Sequence, residues 1–125
     1  MAVRFFLLPG YPDFADLPWE VPLENWPGIC ARLEQVERGV SRHPVQFVNY
    51  DGTLYAIKEM ALDLVEREFV MIQRLELLRL PAVKAVGIVH VDRDGSRLGV
   101  LITRYLESSL PFRSLFLNSR LTRYR

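Results

Sequence analysis

The chain has 125 residues, half of them hydrophobic, with 16 basic and 15 acidic side chains and a formal net charge of +1. This length holds one domain with a modest core, and the balanced charge excludes a general electrostatic pull towards nucleic acid or membrane. So large an apolar share in so small a chain points either to a compact α+β domain or to an apolar face meant for a partner or for a missing part of the same chain.

The first fourteen residues, MAVRFFLLPGYPDF, contain an apolar run too short for a signal peptide, and no stretch of the chain approaches the length of a transmembrane helix. Cys30 is the one cysteine, so no internal disulfide is available and no metal-ligand spacing surrounds it. These features predict a cytoplasmic protein without a membrane span.

Residues 1–30 hold five of the eight prolines and both tryptophans. Prolines at this density interrupt regular elements, so the segment reads as an extended arm whose aromatics pack on a neighbouring surface. Residues 29–39 fit a short helix or a strand ending at Gly39. Residues 43–60, HPVQFVNYDGTLYAIKEM, read as two strands around an Asp51-Gly52 turn.

Strand alternation places Leu54, Ala56, Lys58 and Met60 on one face and Tyr55, Ile57 and Glu59 on the other. Lys58 thus shares its face with three apolar residues. Either its stem lies along that face with the amine in water, or the amine reaches an anion in a cleft.

Residues 61–80 read as a helix whose apolar stripe is Leu62, Val65, Phe69, Ile72 and Leu75 or Glu76, closed by Pro81. A carboxylate on this helix can pair with Lys58, with Glu68 at the border of the stripe as the candidate and Glu66 as the alternative. Residues 82–106 read as a second hairpin turning at Asp94-Gly95, and 108–125 as a basic tail or the start of another unit. The expected class is α+β: an antiparallel sheet of about five strands with one helix packed on it, in a domain over 31–107.

The YAIK stretch at 55–58 resembles the third-strand lysine motif of the protein-kinase fold. Residues 68–75, EFVMIQRL, are similar to the kinase helix C, with Met71, Ile72 and Leu75 following Glu68. Residues 98–110, LGVLITRYLESSL, resemble the fifth strand and hinge, with Thr103 at the gatekeeper position. The resemblance covers about 32–110 and lies nearest to bacterial lipopolysaccharide (Kdo-type) kinases and the uncharacterised kinase-like proteins grouped with them.

What the resemblance implies is an amino lobe forming half of a site for ATP with magnesium. Lys58 would meet the α- and β-phosphates, held by Glu68, with Val45 and Ala56 against the purine and backbone groups near Arg104 and Leu106 along the hinge. The loop at 38–45 carries only Gly39 where the family has a glycine-rich cover. His90-Val-Asp92 lacks the Asn that should follow in a catalytic loop, so Asp92 and Asp94 read as turn residues. Neither a catalytic Asp loop nor a metal-binding Asp-Phe-Gly follows the hinge.

The expectation is therefore a kinase-like domain that cannot transfer phosphate alone and awaits a second lobe or a partner protein. An exposed apolar surface would favour self-association. The alternatives are a pseudokinase-like interaction module, or an α+β domain outside the kinase fold.

Overall fold

The computed structural model describes residues 2–35, 43–79 and 84–104. Among these, the elements are β1 (Ala2–Leu7), a single 3₁₀ turn (Leu23–Asn25), β2 (Leu33–Glu34), β3 (Val45–Tyr50), β4 (Thr53–Ala61), α1 (Leu62–Leu77), β5 (Lys84–Arg93) and β6 (Ser96–Arg104). The strands form one antiparallel sheet in the order β1-β5-β6-β4-β3-β2, with α1 against one face. The class is α+β, and the sheet has six strands where about five were expected. The extra edge, β1, comes from the proline-rich amino-terminal stretch read as an extended arm.

Both hairpins turn on an Asp-Gly pair in which each residue has positive φ. The values are 54° and 88° at Asp51 and Gly52, and 52° and 77° at Asp94 and Gly95. This backbone twist matches that of the flanking strands, which is why the dipeptide marks tight hairpins so well. Asp92, read as a turn residue, instead lies in β5, where its carboxylate sits 3.5 Å from Arg97 Nε.

The two faces of the sheet are covered differently. On one, Val65 of α1 packs with Met60, Ile88 and Leu101, supported by Leu64, Phe69 and Ile72. The close approach of helix and sheet rests on Gly99, where a Cβ would sit 2.7 Å from Val65 Cγ2 and 3.1 Å from Leu62 Cδ1. The far end of α1 is tied down by Glu76, whose carboxylate accepts the Ala85 N–H at 2.7 Å.

The other face carries the larger core, and the proline-rich stretch is its cover. Phe14, Leu17, Trp19, Leu23 and Trp26 pack on Val48, Tyr50, Tyr55, Ile57, Val89, Val100 and Ile102. Each buried indole finds an acceptor: Trp19 Nε1 donates to the Phe14 carbonyl at 2.8 Å and Trp26 Nε1 to the Val21 carbonyl at 2.9 Å. Burial of an indole is tolerable only with such a partner.

Two polar ties fasten this cover. Asp16 accepts hydrogen bonds from Tyr50 at 2.5 Å and Arg32 at 2.6 Å, and the Arg32 guanidinium lies 3.8 Å over the Tyr50 ring. Burial pushes the Tyr50 hydroxyl well above its usual range, and the bond to Asp16 pushes it further. Burial works against the Asp16 carboxylate, but the bonds from Tyr50 and Arg32 outweigh it, and its pKa falls below the ordinary 3.8.

The second tie is an ion pair nearly shut off from water. Arg93 Nη1 lies 3.2 Å from Glu59 Oε2, with the side chains 13% and 9% exposed, and Nη2 donates to the Trp19 carbonyl at 3.3 Å.

Candidate functional site

Strand register fixes what surrounds Lys58. Across the sheet it lies between Val45 of β3 and Leu101 of β6, and Leu101 pairs with Ile88 of β5. The neighbouring row is Phe47, Ala56, Thr103 and Ala85. Directly opposed residues point to the same side, and Leu101 and Ile88 lie under α1, so both rows belong to the helix face.

The helix covers mainly the β5 and β6 side. Lys58, on β4, therefore stands where the helical cover ends. Its amine lies 3.4 Å from Glu68 Oε2, a carboxylate reaching back from the helix, with the side chains 29% and 39% exposed. Glu66, the alternative carboxylate, points to solvent.

The origin of this contact is local. β4 runs into α1 without a loop: Ala61 is the last strand residue and Leu62 the first helical one. Val65, Phe69 and Ile72 must face the sheet to bury themselves, and Glu68 lies beside them on the edge of that stripe. A partly solvated ion pair of this kind contributes only about 0–1 kcal/mol to stability. Its consequence is orientation. An ammonium has three donors, and Glu68 takes one, leaving the others free for an anion.

Val45 and Ala56 are partly buried, and Thr103 is 6% exposed. The fold thus gathers Val45, Ala56, Lys58, Glu68 and Thr103 on one face: two apolar surfaces, a cation with its counter-ion and a hydroxyl-bearing residue. Arg104 does not join them. It pairs with Tyr55, so its side chain belongs to the opposite face, and only its backbone continues β6 beyond Thr103. Leu106 lies outside the described residues, as do most of the 38–45 loop and the basic tail. Met71, matched to an apolar position of the kinase helix C, is 56% exposed.

Sequence reading did not pick out Leu101, which flanks Lys58, or Phe47, which is buried beside Ala56. Pairing the two expected hairpins through β4 and β6 was the signal that could have found them. A cleft of about 180 Å³ opens at the β2–β3 edge, lined by Pro27, Leu33, Glu34, Gln35, Val45, Gln46 and Phe47. It shares Val45 and Phe47 with the Lys58 face without reaching the amine.

Among the described residues, no three His, Cys, Asp or Glu side chains gather as a metal site, and no helix is long and apolar enough to cross a membrane. Comparison with family models, curated proteins and solved structures gives no match to the chain.

Proposed function

We propose that this chain is a kinase-like amino lobe that forms half of a nucleotide site. The observation that carries the reading is the Lys58–Glu68 contact of 3.4 Å between a central strand and the helix that follows it. In this reading Lys58 binds the α- and β-phosphates of ATP, and Glu68 holds the amine in place while leaving donors for the anion. The side chains of Val45 and Ala56 form an apolar floor on which a flat base can rest, next to Lys58 in register. Backbone groups of β6 beyond Thr103 serve the edge of that base.

The donor set suits phosphate oxygens better than a metal. Lys58 is a cation, and its single carboxylate neighbour is already engaged. Magnesium accompanying ATP would take its protein ligands from elsewhere. The acidic residues of the β5–β6 hairpin do not serve as a base: Asp92 lies four positions along β5 from Ile88, the residue in line with Lys58, or about 13 Å at strand spacing. Phosphoryl transfer on a lipopolysaccharide-type acceptor then requires a second lobe, from the same protein or a partner. A reducing cytoplasm suits the unpaired Cys30.

A second reading, a non-catalytic interaction module, is favoured by one observation: Val70, Met71 and Leu77 of α1 and Leu78 just after it stand 46–83% exposed. Calorimetric titration with ATP separates the two. Under the first reading the wild-type chain binds and Lys58→Met weakens binding by about tenfold or more, the scale of a lost charged hydrogen bond. Absence of ATP binding by a folded wild-type chain contradicts the first reading and leaves the second.

A further inference from the structure

The outer side of β1 is an open sheet edge with unusual self-complementarity. The Leu8 N–H donates to the Val86 carbonyl at 2.8 Å, and the register runs from Leu7↔Gly87 to Ala2↔Asp92. In an antiparallel ladder, hydrogen-bonded and non-bonded pairs alternate. Ala2, Arg4 and Phe6 therefore turn their backbone groups to β5, and Val3, Phe5 and Leu7 turn theirs outward. Among the described residues no strand pairs with that side. Of the usual edge protections, residues 2–8 carry one exposed charge, Arg4, and no proline, lysine or bulge. Phe5, Phe6 and Leu8 are 36%, 54% and 37% exposed.

We propose that β1 pairs with β1 of a second copy of this chain, joining two six-stranded sheets across a two-fold axis. Two antiparallel strands related by such an axis keep their faces, so a residue can oppose only one of the same parity. One register uses every outward-facing group. It places Phe5 on the axis against its own copy, and Val3 against Leu7 in both directions.

On the opposite face, this register sets Arg4 over Phe6 of the second copy, and Phe6 over the copy's Arg4. Each pair joins a cation to the face of an exposed ring. A slip of two residues in one direction opposes Arg4 with Arg4. A slip in the other direction leaves Val3 unpaired. The charge pattern and the hydrogen-bond pattern therefore select the same arrangement, and the occupant they fit is this strand itself. The proposal does not depend on nucleotide binding.

Sedimentation velocity of the full chain over a dilution series tests the association, with circular dichroism to verify that each variant folds. The wild type should show a reversible monomer–dimer equilibrium. Phe6→Lys opposes two like charges in place of each Arg–Phe pair and should raise the dissociation constant by about tenfold or more.

The register is tested by cysteine substitution in a Cys30→Ser chain under mild oxidation. Phe5→Cys should form a disulfide-linked dimer, because residues in this type of pair lie about 5.5 Å apart at Cα. Ala2→Cys should not, because Ala2 opposes Leu8 and the two copies of Ala2 are about 20 Å apart. A wild type that stays monomeric at its highest soluble concentration overturns the proposal. So does a dimer indifferent to Phe6→Lys, or equal cross-linking at positions 2 and 5.

Discussion

Gly99→Ala adds one methyl group at the point where α1 meets the sheet, and its cost follows from the distances. The new Cβ would sit 2.7 Å from Val65 Cγ2, 3.0 Å from Val65 Cβ and 3.1 Å from Leu62 Cδ1. Comfortable carbon–carbon separation is about 3.5–4.0 Å, so the helix must retreat by roughly 1 Å or Val65 must leave its rotamer. Val65 is fully buried and β-branched, which makes the second route expensive. Overpacking of this kind costs about 1–3 kcal/mol, set against about 0.5–1 kcal/mol gained by replacing a strand glycine.

These ranges leave a net loss of about 0–2.5 kcal/mol, centred on about 1 kcal/mol, which in a domain of this size lowers Tm by a few degrees. Urea unfolding measures it directly, and Val65→Ala in the Gly99→Ala background should cost less than Val65→Ala alone, because it removes Cγ2, the carbon nearest the added methyl. The same retreat carries Glu68 away from Lys58, so under the proposed nucleotide reading ATP affinity should fall with stability. A Gly99→Ala chain as stable as wild type, with no coupling to Val65→Ala, would refute the close packing inferred at this contact.

The remaining predictions concern the two polar ties of the cover. Arg93→Met leaves the Glu59 carboxylate without its partner in a site nearly closed to water, and should cost about 3 kcal/mol in denaturant unfolding; adding Glu59→Leu should recover part of that loss. Asp16 has a pKa lowered from 3.8 by folding, so it contributes stability above that value, and the contribution disappears as pH falls through its folded pKa. Asp16→Asn should therefore be less stable than wild type at neutral pH, and the two unfolding curves should converge in acid. Curves that stay parallel down to low pH would rule out this role for the carboxylate.

The parts of the fold that local chemistry determines were legible in the sequence. Asp51-Gly52 and Asp94-Gly95 fix two hairpins because few dipeptides accept positive φ twice in succession. The three-and-four spacing of Leu62, Val65, Phe69 and Ile72 fixes the buried side of α1, and strand parity groups Lys58 with Leu54, Ala56 and Met60, the side that α1 covers in the structure.

The parts that escaped depend on distant pairing. β1 is six residues with no alternation of polarity, and its partner β5 lies some eighty residues further along the chain. β2 is two residues long and has no pattern of its own. Trp19 and Trp26 cover the larger core from a segment without period, held by side chains such as Arg32 and Arg93 that meet their partners across long separations. Glu59 could be assigned to the face opposite Lys58 by parity, but its partner Arg93 is 34 positions away, and no local rule joins them.

The chain contains only two lysines, Lys58 and Lys84, which makes a direct test of the proposed nucleotide site possible. An acyl-phosphate derivative of ATP transfers its acyl group to an amine held beside the phosphates, and peptide mass spectrometry reports which lysine is modified. Lys84 is exposed at the start of β5 and serves as the internal reference for unguided reaction. The account predicts preferential labelling of Lys58, suppressed by excess ATP and unaffected at Lys84. Equal labelling of the two lysines, with no protection by ATP, would contradict it.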